Sequence, residues 1–406
     1  MKVVSISKVV PYAGIPHAGG EYVRRHVAAL LAAGHSVEIL APRDRRNIAA
    51  LGRNHDDFEV HLFGPSVSLL RRLAAKLHDL VSPTRMPSTL VKAFGNDEAV
   101  ARALRESDVV EVQWTEMMSV FMAVDASATV GTAPLLVAHD VLSQRERRSF
   151  DSLPKRRFVR RMVQALRVSR TMREEPELLR RAGVVATFSD KDARLIHDMA
   201  PSVGLCVIDP PLWDRGAEPA GPHRSSVRQQ VVMVGAFARP ENQEGALWFL
   251  RQIWPLVVAE VPSAEFVLVG SGPSPALKRS ARRSTNARVT GFVESVEPFY
   301  ATASVAVVPL RSGAGVKFKA IDALLRGVPL VATSVGAEGI SDINGQHPFD
   351  VEDDAARFAG AILRALHTPI SDVDRNAAAA WARRKYGAER FERRLQSLLA
   401  DPRLRR

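Results

Sequence analysis

The sequence predicts an α/β protein made of two doubly wound, Rossmann-like halves, and three observations lead to this expectation. The chain has 406 residues, more than the roughly 250–300 residues over which a single hydrophobic core keeps growing. Apolar, β-branched runs alternate with longer amphipathic stretches, as in parallel sheets covered on both faces. The alternation starts again after a segment rich in proline, glycine and charge at 210–226, which is typical of a linker.

The apolar runs place the predicted strands. In the first half they are VVSI at 3–6, VEIL at 37–40, VVEV at 109–112, LLVA at 135–138 and VVAT at 184–187. In the second half they are VVMVG at 231–235, FVLVG at 266–270, VTGF at 289–292, VAVVPL at 305–310 and PLVAT at 329–333. From about 352 the apolar spacing is helical and predicts two terminal helices.

The linker and the change of pattern predict the domain boundaries. We expect a first domain over 1–215, a second over 216–375, and a terminal helix over 376–406 that packs back toward the first domain. Hydrophobic residues make up 46% of the chain and charged residues 25%, which is ordinary for a globular protein.

The first residues, MKVVSISKVVPY, are typical of a strand rather than a signal peptide, and no apolar run approaches the ~18 residues that span a bilayer. The only cysteine is Cys206, so the sequence allows no intrachain disulfide. These features predict a cytoplasmic protein. The formal charge of +12 indicates an anionic partner, and nucleic acid, an acidic membrane surface or a phosphorylated small molecule would each fit.

A small-residue loop after the strand at 305–310 is the first candidate for an anion site. Gly313, Ala314 and Gly315 let backbone N–H groups approach an anion, and a helix predicted from about 316 to 325 adds its dipole. Lys317 and Lys319 lie in the first turn, where cations are unfavourable unless something negative is bound nearby. The pattern therefore predicts a diphosphate site.

Asp322 follows in the same predicted helix, where a carboxylate can accept hydrogen bonds from the vicinal hydroxyls of a sugar. The alternative is a surface ion pair between Lys319 and Asp322, which are three residues apart.

The segment VPLRSGAGVKFKAIDALLRGVPLVATSVGAEGI resembles the nucleotide-sugar site of glycosyltransferase family 4, the group 1 glycosyl transferases. The family pattern is Glu, seven residues, Glu, then Ala-x-x-x-Gly-x-Pro. Asp322 falls on the second Glu, which holds the nucleotide ribose in the family. Ala314 falls on the first Glu, which usually binds the donor sugar, so this chain departs from the pattern there. The resemblance implies the GT-B fold, two Rossmann-like domains facing a central cleft.

Further stretches of the second half share the resemblance. VVMVGAFARPENQEGALWFLRQIWP resembles the opening of the family's second domain, with Gly235 at the tight turn and Arg239 as the candidate diphosphate contact. The alternative for Arg239 is an exposed loop arginine. Phe292 and Val293 follow the strand at 289–292, where the family supports the nucleobase. The alternative for Phe292 is core packing.

The first half resembles the family's opening as well, with a glycine-rich loop before a helix. Gly19 and Gly20 lie where a backbone approaches the donor phosphate or the acceptor. His139 ends a buried run, and in the family a histidine there lies near the anomeric carbon. The alternative is a capping pair of His139 with Asp140. We interpret Glu21 as a helix N-terminal charge without a further role.

Two basic amphipathic stretches, at 68–80 and 154–170, can each lie on an anionic membrane surface, which would suit a lipid-linked acceptor. The alternative is that they are the solvated faces of packed helices. On the first interpretation, these stretches predict a peripheral location at the inner membrane face.

We expect no metal and no cofactor, because the chain lacks a Cys pair, a His-Glu-x-x-His run and an Asp-x-Asp motif. A Walker P-loop and a complete Gly-x-Gly-x-x-Gly after the first strand are also missing, which argues against ATPases and dehydrogenases.

The resemblance implies a retaining glycosyltransferase that moves a sugar from a nucleotide-diphosphate sugar to an acceptor hydroxyl, and the missing metal motifs predict that it works without a metal. His139, Arg239 and Lys319 are its predicted catalytic residues. Three alternatives stay open: a non-catalytic GT-B scaffold that binds a nucleotide sugar or a partner, an epimerase or phosphorylase on the same fold, and a nucleic-acid binder. Only charge favours the last, because no aromatic and basic platform is recognisable, and we expect no nucleic-acid partner.

Overall fold

The structure, a computed structural model, describes residues 1–15, 17–53, 57–64, 84–124, 133–213, 229–341, 345–368 and 371–404. The chain divides into two compact units. The first comprises Met1–Pro211 and Ala388–Arg406, and the second comprises Leu212–Gly387. The basic stretch at 68–80 lies outside the described residues.

The first unit is built on a parallel sheet of seven described strands in the order β3-β2-β1-β4-β5-β6-β7. The strands are β1 Lys2–Ile6, β2 Ser36–Pro42, β3 Glu59–Phe63, β4 Val109–Gln113, β5 Leu135–Ala138, β6 Val184–Thr187 and β7 Gly204–Val207. Every residue of β4, β5 and β6 is buried, as expected for central strands with helices on both faces.

The helices of the first unit follow its strands. They are α1 Ala18–Ala32, α2 Arg45–Leu51, α3 Ser88–Gly95, α4 Glu98–Glu106, α5 Met118–Phe121, α6 Leu142–Ser152, α7 Phe158–Leu179 and α8 Asp190–Met199. A short 3-10 turn, Thr115–Met117, precedes α5. The terminal helix of the chain packs on α1, and its Phe391 ring lies edge-on to Tyr22 with the centroids 6.0 Å apart.

The second unit has a parallel sheet of six described strands in the order β10-β9-β8-β11-β12-β13. The strands are β8 Gln230–Val234, β9 Glu265–Val269, β10 Ala287–Gly291, β11 Val305–Val308, β12 Leu330–Ala332 and β13 Asp350–Val351. Val231 and Met233 point into one hydrophobic core and Val232 into the other, so the sheet is covered on both faces.

The remaining helices are α9 Pro240–Trp248, α10 Trp254–Glu260, α11 Pro275–Arg283, α12 Glu297–Thr302, α13 Phe318–Leu325, α14 Ala355–His367, α15 Asp372–Tyr386 and α16 Ala388–Leu399. A π-helical stretch, Phe249–Ile253, joins α9 to α10. Ser274 caps α11 and Asp354 caps α14, each by accepting hydrogen bonds from backbone N–H groups of the first turn.

The predicted α/β architecture of two doubly wound halves is confirmed, and each predicted run forms a strand. The prediction missed β3, β7 and β13. β3 carries a glutamate and a histidine, β7 is only partly buried, and β13 has two residues, so none shows a long apolar run.

The structure moves two predicted boundaries, since the first unit leaves off at Pro211 instead of 215 and the second unit ends at Gly387 instead of 375. The predicted terminal helix over 376–406 is two helices, because α15 ends at Tyr386 and α16 begins at Ala388. α15 belongs to the second unit, and only Ala388–Arg406 returns to the first. Within the second unit, α15 packs against α13.

Candidate functional site

In both sheets the strand order reverses between two adjacent strands, which are β1 and β4 in the first unit and β8 and β11 in the second. Ligands of open α/β sheets bind beyond the carboxyl ends of the strands at such a switch point. In the second unit, the residues that follow these two strands are Gly235 and the loop 309–317. These are the segments that the sequence predicted to hold a diphosphate.

Backbone-to-backbone packing shapes the loops after β8 and β9. A Cβ on Gly270 would lie 1.9 Å from the Gly235 carbonyl oxygen, and a Cβ on Gly272 would lie 2.6 Å from the Ala238 Cβ. Both glycines have positive φ, +142° at Gly270 and +70° at Gly272. Only glycine adopts the value at Gly270 without strain. The loop that begins at Gly235 is therefore held in position by two glycines after the neighbouring strand.

Lys319 reaches from the first turn of α13 to the first turn of α9, beside the loop after β8. Its ammonium donates to Asn242 Oδ1, and Asn242 Nδ2 donates to the Ala236 carbonyl oxygen at 2.8 Å. A Cβ on Gly235 would lie 3.3 Å from Lys319 Nζ. The Lys319 side chain thus links α13, through Asn242, to the loop after β8. It also puts a cation at the carboxyl end of β8.

The surroundings of Lys319 disfavour its charge. Removal from water, together with the nearby cations Lys317 and Arg239, lowers the pKa of Lys319 to about 7, against the opposing effect of Glu241. An ammonium in such a place is stabilised by any anion that binds beside it, because the anion offsets the lost hydration. An anion such as a diphosphate, bound beside Lys319, would therefore favour the charged form of this side chain.

Lys317 occupies a different position from the one the sequence predicted. It is the N-cap residue of α13, not part of its first turn, because the helix begins at Phe318. Its buried ammonium donates to the carbonyl oxygens of Ala314 and Gly315 and lies 3.6 Å from Glu338 Oε2. Lys317 thus holds the loop 313–317 in shape, and we revise its predicted role as a direct phosphate ligand to a supporting one.

The loop 313–315 itself has the conformation that small residues allow. Gly313 has φ +107° and Gly315 has φ +69°, which favour glycine over other residues. A Cβ on Gly313 would lie 3.7 Å from Glu241 Cγ, so the loop runs past the first turn of α9. Ala314, the residue in place of the family's first glutamate, lies between the two glycines and brings no carboxylate to this point.

Arg239 is the N-cap residue of α9, and its exposed side chain lies 3.3 Å from Glu241 Oε1 through Nε. Its charge is close enough to Lys319 to lower the pKa of that residue. The exposed position matches the alternative stated for Arg239, and it also leaves the guanidinium within reach of a ligand at the mouth of the site.

Asp322 accepts a hydrogen bond from Arg326, the C-cap residue of α13, and Arg326 also donates to Glu297. The alternative of a surface pair between Lys319 and Asp322 is wrong, because Lys319 points to Asn242 instead. Asp322 is partly exposed, and its predicted role with the ribose stays a prediction.

Phe292 follows β10 and is 69% exposed, so the alternative of core packing is wrong. Gly291 before it has φ +81°, which turns the chain at the carboxyl end of the strand. Val293 is partly buried and packs against the core under α13. An exposed aromatic ring on a loop anchored by its neighbour is suited to stack against a flat base.

We expect Phe292→Ala to weaken the binding of a nucleoside diphosphate about tenfold, because aromatic stacking on a base contributes on the order of 1–3 kcal/mol. Isothermal titration of the best-binding nucleotide checks this. Inorganic pyrophosphate, which has no base, serves as the control ligand, and its affinity should not change. Equal nucleotide affinity of the variant and the parent would show that Phe292 does not support the base.

His139 lies at the carboxyl end of β5 in the first unit, within a cluster of aromatic rings. It stacks on Trp114 with the centroids 4.2 Å apart at 19°, and Tyr22 and Phe188 meet it edge-on at 5.1 and 5.2 Å. Trp114 has φ +72°, an unusual backbone conformation for a tryptophan that marks a constrained position. The ring plane of His139 is therefore held by its neighbours.

The surroundings of His139 favour the neutral form of its imidazole. Burial, with smaller effects of Lys8, His26 and His17, keeps the pKa of His139 well below 6.5. Its Nε2 lies 3.2 Å from Gln113 Oε1, so the tautomer that donates there leaves Nδ1 as a hydrogen-bond acceptor. Such a group can hold a sugar hydroxyl, but it does not carry a positive charge near neutral pH.

Gly19 and Gly20 have different structural reasons for being glycine. A Cβ on Gly19 would lie 2.9 Å from Trp114 Cζ2 and 3.5 Å from His139 Nδ1, so Gly19 opens the space in front of the histidine. A Cβ on Gly20 would meet Ile15 and His17. The Gly20 N–H donates to His17 Nδ1, so the His17 side chain caps α1. Glycine at position 20 is therefore explained by the packing of its own loop.

Glu21, which we interpreted as a helix N-terminal charge, pairs with Arg24 and Arg25 at 2.7 Å. The alternative of a capping pair at 139–140 is wrong. The Glu175 carboxylate accepts from the first N–H groups of α6, while Asp140 pairs with Arg145.

Trp114 and Asn242 are the site residues that the sequence analysis missed. The sequence contains an indication for Trp114, because this residue directly follows the buried strand β4 at the switch point. Asn242 carries no such signal, since its role depends on contact with Lys319, 77 positions away. Within the described ranges, no group of three or more His, Cys, Asp or Glu side chains is placed to hold a metal ion.

Comparison with known proteins gives a sequence match in the second unit. Residues 228–368 match the family model described as glycosyl transferases group 1. A protein of Klebsiella pneumoniae, described as an uncharacterized 44.6 kDa protein in the cps region, is 29% identical over 140 residues. That match covers 33% of this chain and 36% of the relative, so it spans about a third of the relative's length.

Solved structures match nearly the whole chain. Sucrose-phosphate synthase from Thermosynechococcus elongatus has a TM-score of 0.72 at 19% identity, with 98% of each chain covered. HepE of Anabaena in complex with UDP has a TM-score of 0.67 at 15% identity, covering 98% of this chain and 100% of HepE. A trehalose-phosphate synthase (UDP-forming) from Burkholderia xenovorans has a TM-score of 0.64 at 15% identity, covering 98% and 99%. The chain therefore has the GT-B fold, and its residues 228–368 match the model of the group 1 glycosyl transferases.

Proposed function

We propose that the protein is a retaining glycosyltransferase that binds a nucleotide-diphosphate sugar in its second unit and transfers the sugar to an acceptor hydroxyl. The observation that carries this proposal is the position of Lys319. Its partly desolvated ammonium lies at the carboxyl end of β8, bonded to Asn242 and directly beside Gly235. A diphosphate at this switch point would supply the negative charge that Lys319 lacks.

In this proposal the second unit eases departure of the nucleoside diphosphate by fixed charges. Lys319 and Arg239 stabilise the negative charge that grows on the diphosphate as the sugar–oxygen bond breaks, and the N-terminus of α13 adds its dipole. Lys317 keeps the loop 313–317 in the conformation that presents its backbone. Asp322 accepts from the ribose, and Phe292 supports the base.

In the first unit, we propose that Nδ1 of His139 accepts a hydrogen bond from a sugar hydroxyl. The rings of Trp114, Tyr22 and Phe188 keep the imidazole in one orientation, which saves the entropy of ordering it in the transition state. Metal independence follows from the same proposal, because the cationic side chains take the role that a divalent ion has in other sugar transferases. The acceptor would belong to glycan, polysaccharide or glycolipid biosynthesis.

A screen of nucleotides tests the proposal. A nucleoside diphosphate present at 100 times its dissociation constant should stabilise the folded protein by about 2.7 kcal/mol. UDP and UDP-glucose should be included first, since similar structures contain UDP, followed by the ADP, GDP and TDP series. The proposal fails if none of these ligands raises the melting temperature of the protein.

Ala314 favours a second candidate, a non-catalytic GT-B scaffold that binds a nucleotide sugar or a partner without transfer. The two are separated by incubating the stabilising nucleotide sugar with a panel of acceptors. Release of free nucleoside diphosphate identifies a transferase, and the NMR coupling constant of the anomeric proton shows whether configuration is retained. Binding without release in the presence of all acceptors favours the scaffold, and conversion of the donor alone to its epimer identifies an epimerase.

A further inference from the structure

Helix α7 in the first unit exposes apolar side chains to solvent in an unusual concentration. Phe158, Val159, Met162 and Leu166 are 69%, 73%, 58% and 50% exposed. Five of the twelve large apolar side chains that are exposed in the described part of the chain lie on this helix, the fifth being Met172. Phe158, Met162 and Leu166 are four residues apart, so they form one stripe.

The opposite side of the same helix is polar and buried. Gln164 donates to the Glu146 carbonyl and carboxylate oxygens at 2.9 Å, the Thr171 hydroxyl donates to the Arg167 carbonyl oxygen, and Glu175 accepts from the start of α6. A surface helix of a soluble protein normally turns its apolar side inward. Over its first four turns α7 has the opposite arrangement. Its apolar stripe faces solvent, and polar side chains such as Gln164 face α6.

The end of this stripe is strongly basic. The turn between α6 and α7 has the sequence PKRR at 154–157, and Lys155, Arg156 and Arg160 are exposed. Arg161 fastens the turn, since its guanidinium donates to the Leu153 carbonyl oxygen at 2.6 Å and lies 4.2 Å from the Phe150 ring centroid. The cationic turn is therefore held at the N-terminal end of the apolar stripe.

We propose that this surface, formed by Phe158, Val159, Met162 and Leu166 with the basic residues 155, 156 and 160, lies on an anionic lipid bilayer. An apolar helix face that enters the headgroup region gains from removal of its side chains from water, and lysines and arginines beside it gain from the negative surface potential. The alternative stated for the stretch 154–170, a solvated face of a packed helix, does not account for its exposed apolar stripe.

Charge distinguishes the bilayer from two other candidate partners of this surface, a second copy of the chain and a nucleic acid. A second copy of the same surface would add its own cations and no acidic side chain, so it offers the PKRR turn no complementary charge. A nucleic acid would use the cations but would leave the methionine, leucine and valine side chains without a partner. The bilayer is the occupant that uses both features. This inference concerns the first unit alone and does not depend on the proposed sugar transfer.

Vesicle co-sedimentation of the full chain tests the inference. We expect the protein to sediment with vesicles of phosphatidylcholine and phosphatidylglycerol, and to stay in solution with phosphatidylcholine alone. Binding should weaken between low salt and about 0.15 M salt, because the lipid charge is screened over about 8 Å there. The triple variant Phe158→Ser, Met162→Ser, Leu166→Ser should lose at least about tenfold in vesicle affinity.

A second variant, Lys155→Gln, Arg156→Gln, Arg160→Gln, should lose at least about tenfold on the anionic vesicles. Matched controls lie elsewhere on the surface. Ile48→Ser with Leu51→Ser removes exposed apolar side chains of α2, and Arg279→Gln with Arg282→Gln and Arg283→Gln removes exposed cations of α11. Neither control should change sedimentation with vesicles, and circular dichroism should show that each variant is folded.

The inference is overturned if the parent protein ignores anionic vesicles at low salt, or if the controls lose binding as much as the α7 variants. Sedimentation velocity tests a second copy of the chain as the partner. If the parent does not bind vesicles but forms a dimer that the serine triple variant abolishes, the surface serves self-association. Oligonucleotide binding that depends only on the three basic residues, again without vesicle binding, would assign it to nucleic acid.

Discussion

Replacing Lys319 by methionine is expected to lower the turnover of the nucleotide sugar by about 10²–10³-fold, the range found when one preorganised charge-stabilising group is removed from an active site. Methionine keeps the length of the aliphatic side chain, so the packing around Gly235 and Asn242 is retained while the ammonium is lost. The measurement is the release of nucleoside diphosphate at saturating donor.

The same residue predicts a pH dependence of donor binding. The pKa of Lys319 is about 7 in the unliganded protein, and a bound diphosphate should raise it by favouring the charged form. Above pH 7 the free protein is then mostly neutral at this position and must take up a proton on binding. The dissociation constant should rise about tenfold for each pH unit between 7 and the raised pKa, and stay flat below 7.

Three variants make this test specific. Lys319→Arg keeps its charge at all accessible pH values, so it should bind donor without the pH dependence above 7. Lys319→Met should bind weakly and also without it. Lys278→Met removes an exposed lysine of α11 and should match the parent. A parent protein whose donor affinity is constant from about pH 6 to pH 9 would show that Lys319 does not face the diphosphate.

Replacing Gly270 by alanine is expected to be among the most destabilising single changes in the second unit. Its φ of +142° lies in a region that is nearly restricted to glycine, and the new Cβ would lie 1.9 Å from the Gly235 carbonyl oxygen. Backbone strain of this kind costs on the order of 1–3 kcal/mol, and relief of the clash must also displace the loop after β8. We expect a loss of about 3 kcal/mol or more in the free energy of unfolding.

For a unit of this size such a loss lowers the melting temperature by roughly 6–12 °C. Scanning calorimetry should show the shift, and donor binding should fall because the displaced loop carries Gly235. Gly360→Ala is the matched control: it lies inside α14, its Cβ meets nothing within 4 Å, and alanine is the better helix former, by about 1 kcal/mol. A Gly270→Ala protein that melts like the parent and binds donor would contradict the close packing of the two loops.

The amino-acid sequence determined the architecture of the protein. The central strands of a doubly wound sheet are buried on both faces, so they form continuous apolar runs that can be read from local composition. Glycines after those runs marked the loops at Gly235 and 313–315, and the motif that resembles the family predicted a nucleotide site in the second unit. Edge strands such as β7 were missed because partial burial leaves no such run.

Only the tertiary structure decided what the charged side chains do. Lys317 and Lys319 are two residues apart, yet one fastens its own loop and the other crosses to Asn242 on another element. The same holds for α7, whose sequence fits a packed helix but whose apolar stripe is exposed because Gln164, Thr171 and Glu175 face inward. Burial and long-range contacts set the direction and the pKa of a side chain, and neither follows from the spacing of residues along the chain.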